Sequence, residues 1–269
     1  MLTLALPRLL SLADSGRRAA AVTERNITAL RSAYWIVMLT GLLEPLLYLF
    51  SIGIGVGALI GDLTLPDGRV IGYAAFIAPA MLASSAMTGA LSETTFNFFG
   101  KMKWMKLYDG VIATPVRPFE IALGELGWAM LRGNLYAAAF LVVMVALDFT
   151  STARALAAFP ATVLVGFAFG AVGMALSTFM RSWQDFDVVI SVQFALFLFS
   201  GTFVPAQSYP TVLRWLVEVT PLYRSVDLIR GISTGSVGLM QVVDVAYLVA
   251  VFVLGLVVAG RRMSTLLCK

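Results

Sequence analysis

Six long apolar segments separated by short polar stretches dominate this sequence. They cover approximately residues 34–60, 70–95, 119–147, 155–180, 188–204 and 242–260. Most of them have the roughly 20 residues that an α-helix needs to cross about 30 Å of hydrocarbon. Only 13% of the 269 residues are charged, against about 25% in soluble domains. The sequence therefore predicts an all-α integral membrane protein, with six transmembrane helices in one domain over residues 1–269.

Arginine and lysine are unevenly distributed among the polar stretches. With the N-terminus inside, the inner stretches hold 13 of the 19 basic residues and the outer stretches hold 5, while Arg132 lies within a span. Because basic loops stay on the cytoplasmic side, both termini are expected in the cytoplasm of a multi-pass protein of the bacterial inner membrane. This topology explains the basic residues without nucleic-acid binding. No cleaved signal peptide is expected, because residues 1–15 lack a basic region followed by a long apolar run.

Residues 1–31 precede the first span and combine short apolar groups with five arginines. In the second half of this segment the apolar residues recur at roughly helical spacing. The pattern predicts a cytoplasmic amphipathic helix that lies on the membrane, with its arginines toward the headgroups. The six-span bundle then covers residues 32–260, and a cytoplasmic tail covers residues 261–269.

A basic segment lies between the second and third spans. Three of the four lysines fall within six residues there, interleaved with aromatic residues and methionine. Because lysine is costly at the bilayer midplane, the segment is expected on the cytoplasmic surface. It is interpreted as a short helix that receives force from a soluble motor subunit, although an ordinary basic loop fits the spacing equally well. Its candidate contact residues are Lys101, Met102, Lys103, Trp104, Met105, Lys106 and Tyr108.

Charged residues within spans are candidate functional groups by default. Those of interest are Glu44, Glu93, Glu125 and Arg132. Glu44 precedes Pro45 within the first span, which favours a structural or gating role over direct substrate contact. Arg132 is a candidate ion-pair partner of Glu44 or Glu93 across a helix interface. Glu125 shares a helix face with Arg132 but lies two turns away, too far for a standard pair.

A second irregular region covers residues 205–240, where prolines interrupt the chain. An apolar piece at 212–219 is too short to cross the membrane. This combination predicts a re-entrant or interfacial half-helix on the outer side, before the sixth span. The residues singled out here are Pro205, Pro221, Asp227 and Arg230, of which the last two are spaced to pair on one helix face.

Residues that enzymes use are scarce in this chain. There is no histidine, the single Cys268 is near the C-terminus, and the carboxylates are scattered singly along the spans. Gly100-Lys101 is followed by Met102, so it does not fit a nucleotide-binding P-loop. A membrane-embedded lipid-processing enzyme is therefore disfavoured. An ion-coupled secondary carrier stays open as an alternative, although such carriers usually show internal repeats that are not evident here.

Several motifs are distributed along nearly the whole chain. They are EPLLYLF at 44–50, SSAMT at 84–88, LGE at 123–125, FSGTFVP at 199–205 and DLIR at 227–230. Together with six spans and a basic inner loop, they resemble the permeases of ABC-2 type exporters. The likeness is greatest to nodulation-factor (lipo-oligosaccharide) export permeases and to related drug and lipid exporter permeases.

The resemblance implies a permease subunit that exports a lipid-like, glycolipid or amphipathic drug substrate. It also implies a second permease copy, identical or a sister chain, embedded among membrane lipids, and two copies of an ABC ATPase subunit that carry ATP and Mg. No cofactor is then expected on this chain. The basic segment would be a coupling helix seated in an ATPase cleft, and the outer half-helix region would close the exit.

Overall fold

The computed structural model of the chain describes residues 5–30, 34–64 and 68–267. Helix α1 covers Ala5–Leu30 and helix α2 covers Tyr34–Tyr48. A π-helical segment, Leu49–Val56, continues α2 into the short helix α3, Gly57–Ile60. These pieces together match the predicted first span. Parts of the predicted N-terminal segment (1–4 and 31), of the following turn (65–67) and of the tail (268–269) lie outside the described residues.

A small antiparallel hairpin connects the first two long helices. Strand β1, Asp62–Thr64, pairs with strand β2, Val70–Gly72, with Leu63 opposite Ile71. The sequence had predicted a plain turn here, with the second span starting at Val70, and this boundary is wrong by three residues. β-branched residues at 70 and 71 favour extended structure. The hairpin is therefore an exception to the predicted all-α fold.

Helix α4, Tyr73–Ser92, continues through the π-helical segments Glu93–Asn97 and Gly100–Trp104 as one apolar helix of 32 residues. Lys106 then adopts a left-handed conformation with φ of 46°, which ends the helix. Helix α5, Leu107–Ile112, follows. The prediction of one separate short helix over the basic segment is therefore wrong, because the segment is divided between the end of the long helix and α5.

Proline and hydroxyl residues start several of the remaining helices. Pro118 occupies the first turn of α6, and Ser151 caps α7 by accepting a hydrogen bond from the backbone N–H of Arg154. The remaining helices are α6 (Pro118–Ala146), α7 (Thr152–Ser177), α8 (Gln184–Leu198), α9 (Thr211–Val219), α10 (Pro221–Thr234) and α11 (Leu239–Leu267), with a 3₁₀ turn at Ala206–Ser208.

Within the described residues, five helices are long and apolar enough to cross a membrane. They are Leu43–Ile60, Tyr73–Trp104, Pro118–Ala146, Thr152–Ser177 and Leu239–Leu266. The predicted fifth span corresponds to α8, which has only 15 residues and would extend about 22 Å. Gly201, with φ of 68°, lies in the non-helical stretch that follows α8. The structure thus supports a helical integral membrane protein with at least these five spans.

Helix α7 lies at the centre of the bundle and packs against α4, α6, α10 and α11. Small residues allow the close approach that membrane helices need. A Cβ atom on Gly170 would lie 2.7 Å from the Leu126 side chain of α6, and one on Gly255 of α11 would lie 2.8 Å from the backbone of Ala171. These glycines therefore set the spacing of three helices.

The proline-rich outer region is more regular than the sequence indicated. Helix α9 is the predicted short apolar helix, and its residues Val212, Trp215 and Leu216 are exposed. Helix α10 is a regular helix of 14 residues that begins at Pro221 and packs against α4, α7 and α11. Thr220 caps α10 by accepting a hydrogen bond from the backbone N–H of Tyr223.

Candidate functional site

One carboxylate in α6, that of Glu125, joins three elements of the chain. Glu125 is 5% exposed, and one of its oxygens accepts a hydrogen bond from Lys101 Nζ at 2.6 Å. The other oxygen accepts from Arg25 Nη2 at 2.8 Å, and Asn26 Nδ2 donates to the carboxylate at 3.0 Å. We call these four residues the Glu125 network. It fixes α1, the end of the long α4 helix and α6 to one another.

A second carboxylate anchors α1 closer to the start of α6. Glu120 accepts hydrogen bonds from Ser15 Oγ at 2.6 Å and from the Arg117 backbone N–H at 2.9 Å. Arg18 Nε lies 3.3 Å from the same side chain. The prediction that the arginines of α1 point toward headgroups is therefore wrong for Arg18 and Arg25. Carboxylates on α6 neutralise these two arginines within the protein. The paired residues lie about 100 positions apart in the sequence, so local periodicity could not predict the pairs.

The backbones of α1 and α6 approach closely between these two anchors. Thr23 Oγ1 donates a hydrogen bond of 2.8 Å to the Gly124 carbonyl. A Cβ atom on Gly124 would lie 2.6 Å from the carbonyl oxygen of Ala19. Helix α1 is therefore a packed part of the bundle.

The predicted coupling residues separate into two groups. Lys101, Met102 and Tyr108 face the protein, and Tyr108 is fully buried. Burial, together with the nearby Glu125 carboxylate, raises the pKa of Tyr108 well above its usual value, so its hydroxyl stays protonated. The second group is exposed, with Met105 72% exposed. We call this second group the exposed rim, and it consists of Lys103, Trp104, Met105 and Lys106.

An aromatic cluster joins the exposed rim to the beginning of α8. The ring of Trp104 stacks on that of Trp183, with centroids 3.9 Å apart. Trp183 also packs against Phe96 and Phe186 at 4.9 and 5.5 Å. The sequence analysis missed Trp183, although a tryptophan in a short polar turn at the membrane boundary is typical of an interfacial contact.

Arg132 of α6 forms an ion pair with Glu93 of the long α4 helix. This pair was one of the two partnerships that the sequence suggested. Asn97 Nδ2 completes the arrangement by donating to Glu93 Oε2 at 2.8 Å. Glu44 is not paired with Arg132, but both residues line the same cavity. The Arg132–Glu93 pair is therefore neutral as a whole and does not balance the charge of Glu44.

This cavity has a volume of about 290 Å³ and lies between α2, α4, α6 and α8. A second cavity of about 640 Å³ extends from it toward the aromatic cluster, and the two share Thr88, Ser92, Ile190 and Gln193. Gln193 Nε2 of α8 donates a hydrogen bond of 3.0 Å to Thr88 Oγ1 of α4. A groove thus follows the α4–α8 boundary from the first cavity to Phe96, Trp183 and Phe186 of the aromatic cluster.

In the proline-rich region, Arg230 of α10 binds backbone carbonyls. Its Nη2 donates to the Gly201 carbonyl at 2.9 Å and its Nε donates to the Phe76 carbonyl at 3.1 Å. Its guanidinium also lies 3.8 Å from the centroid of the Phe76 ring. In the part of the chain that the structure describes, no ion pair joins Asp227 to Arg230, so that predicted pair is wrong. The carbonyls of Gly201, which follows α8, and of Phe76 in α4 take its place as acceptors.

Two of the three prolines of this region, those singled out from the sequence, have local roles. Pro205 precedes the 3₁₀ turn and Pro221 occupies the first turn of α10. A separate ion pair, between Arg224 of α10 and Asp244 of α11 at 3.1 Å, ties the region to the last span. Across residues 5–30, 34–64 and 68–267, no group of three His, Cys, Asp or Glu side chains is arranged to hold a metal.

Comparison with known proteins agrees with this arrangement. The model of the ABC-2 type transporter family matches residues 18–233. Nodulation protein J of Rhizobium leguminosarum bv. trifolii is 35% identical, over 90% of this chain and 93% of the relative. Nodulation protein J of Rhizobium meliloti is 31% identical over 94% and 97%. The inner membrane transport permease YadH of Escherichia coli is 26% identical over 73% of each chain. The chain therefore belongs to the ABC-2 type transporter family and is a multi-pass transport permease.

Proposed function

We propose that this chain is the membrane subunit of an ATP-driven exporter that moves a lipid-like, glycolipid or amphipathic drug substrate outward across the bacterial inner membrane. Power would come from two copies of a separate ABC ATPase subunit, which hold ATP and Mg. A second permease, identical or a sister chain, would complete the pathway. The observation that carries the proposal is the exposed rim, a basic and aromatic surface connected by an ion pair and by ring stacking to the helices that line the cavities.

Two connections would transmit a push on the exposed rim. Lys101 lies in the same helical turn as Lys103 and is bound to Glu125 of α6. Trp104 stacks on Trp183, immediately before α8. Helices α6 and α8 supply Arg132 and Gln193 to the cavity. A displacement of the rim by a motor subunit would therefore reach both sides of the cavity.

The proposed topology has six spans, with α8 and the residues after it as the fifth. Both termini and the exposed rim would lie in the cytoplasm, on the side where basic residues are concentrated. Helix α9 would lie at the outer interface as a re-entrant or interfacial element, because its exposed apolar residues need lipid or protein cover. All of these elements would form one domain over residues 1–269.

Reversing the charge of Lys103, alone and with Lys106, is the direct test of this function. Both lysines are exposed, so Lys103→Glu and Lys106→Glu should leave folding unchanged. We expect the tagged wild-type chain, extracted gently from native membranes, to recover an ABC ATPase. The double variant should recover about tenfold less, because like charge at a partner's surface costs a few kcal/mol.

The matched control is Arg154→Glu, which reverses an exposed charge on the proposed outer side and should leave ATPase recovery unchanged. Equal recovery with the wild-type chain, the double lysine variant and the control would contradict a coupling role for the rim. If the wild-type chain recovers no ATPase at all, the ion-coupled carrier becomes the better account, with the rim as a headgroup anchor.

A further inference from the structure

The cavity between α2, α4, α6 and α8 contains a carboxylate whose charge is not compensated. Arg132 is occupied by Glu93, and in the part of the chain that the structure describes, Glu44 has no ion-pair partner within 4 Å. Glu44 lies ten residues after the start of α2, about 15 Å along the helix. Its side chain is exposed and lines the cavity, so it is accessible to a bound molecule. The cavity therefore has an excess of negative charge.

Hydrogen-bond acceptors surround this carboxylate. Pro45 has no N–H to donate to the carbonyl of Gly41, one turn earlier, and both residues line the cavity. Ser84 is only 6% exposed, and its hydroxyl has no hydrogen-bond partner among the described residues. The amide of Gln193, the obvious donor nearby, is already bound to Thr88. The Ser84 hydroxyl and the Gly41 carbonyl are therefore available in this cavity to accept hydrogen bonds from a ligand.

Aromatic and aliphatic side chains form the rest of the wall. Tyr48 meets Phe197 edge to face, with ring centroids 6.0 Å apart, and Phe194 lies on the same wall. Aromatic faces attract ammonium groups when water is excluded. Ile190 and Phe194 of α8 are largely exposed, and Ile190 continues the apolar wall into the second cavity. An alkyl chain could lie along this wall while its headgroup reaches Glu44.

We propose that this cavity binds the cationic headgroup of an amphiphile, a protonated amine or quaternary ammonium attached to an alkyl chain, with Glu44 as its counter-ion. The inference deepens the proposed function, since such an amphiphile would be the exporter's cargo. Ser84 and the Gly41 carbonyl would accept hydrogen bonds from the N–H groups of an amine. Tyr48 and the phenylalanines would cover its carbon substituents.

The test compares three dansyl-labelled dodecyl amphiphiles that differ only in their headgroup. These carry a trimethylammonium, a neutral hydroxyl or a sulfonate group, and their binding to the purified chain in discs of neutral lipid is followed by fluorescence. We expect the ammonium probe to bind about tenfold more tightly than the hydroxyl probe. The sulfonate probe should bind most weakly. Equal affinities for the three probes with the wild-type chain would overturn the proposal without any variant being needed.

Two variants locate the site. Glu44→Gln keeps the shape of the side chain, and it should remove the preference for ammonium while leaving hydroxyl-probe binding unchanged. Ser84→Leu should fill the cavity and weaken all three probes. Glu218→Gln, in an exposed pair on α9, is the control and should leave the ammonium preference intact. Retention of the preference in Glu44→Gln would sink the assignment.

This measurement is independent of the motor subunit, because it uses the chain alone. Failure of ammonium selectivity leaves the ATP-driven exporter standing with a different cargo. Conversely, selective binding in a chain that recruits no ATPase would keep the Glu44 site and remove the proposed source of power.

Discussion

Replacing Glu125 by leucine is expected to lower the melting temperature of the purified protein by roughly 10 °C and to abolish export. The carboxylate is 5% exposed and accepts hydrogen bonds from Lys101, Arg25 and Asn26. Removing one member of a buried ionic cluster leaves the others uncompensated, which typically costs about 3–5 kcal/mol. For a chain of this size each kcal/mol corresponds to about 2–4 °C. Thermal unfolding in detergent micelles measures the change.

The Glu125 network also predicts an order among variants. Lys101→Met should be milder than Glu125→Leu, because Arg25 still neutralises the carboxylate. Glu24→Gln, an exposed substitution on α1, should melt within about 1 °C of wild type, as surface changes usually do. If Glu125→Leu and Glu24→Gln had the same melting temperature, the Glu125 network would not be holding α1 to the bundle.

The second large effect is expected at the ion pair inside the membrane. Arg132→Leu leaves the buried carboxylate of Glu93 with Asn97 as its one remaining side-chain partner among the described residues. We expect a fall in stability of about 3–5 kcal/mol, because an unpaired charge is retained away from water. The double variant Arg132→Leu with Glu93→Leu should recover most of this loss, since replacing both partners by apolar residues is often neutral.

Expression level and melting temperature are measured for the wild type, the two single variants and the double variant, which together form a double-mutant cycle. A double variant no more stable than Arg132→Leu would show that the two side chains do not stabilise each other. Export by a stable double variant would identify the pair as structural. A stable double variant that fails to export would assign the pair to gating.

Much of the membrane architecture could be predicted, because apolar length and charge distribution are local properties. The apolar segments located α6 and α7 to within three residues, whereas the second span ends nine residues later than predicted. The predicted fifth segment, 188–204, overlaps α8 but is displaced from it by four to six residues. Carboxylates and arginine within spans pointed to the Arg132–Glu93 pair. The hairpin after α3 was missed, because three-residue strands depend on local backbone conformation, which hydropathy does not encode.

The arrangement of the basic segment was harder to predict than the spans. Composition could not tell that Lys101 turns inward while Lys103 stays exposed, because that depends on Glu125 in another helix. The same holds for the stacking of Trp104 on Trp183, 79 positions later in the chain. Pairings across such distances are set by tertiary packing rather than by periodicity.

The central claim, that the exposed rim receives a motor subunit, is tested most directly by cross-linking from Met105. This residue is 72% exposed, whereas Met102, one turn earlier, is 7% exposed and serves as the matched control. A photo-activated amino acid at each position would be irradiated in native membranes, and the captured proteins identified by mass spectrometry. The account predicts capture of an ABC ATPase from position 105 and none from position 102. Capture of lipid alone from position 105, in membranes that contain the ATPase, would contradict it.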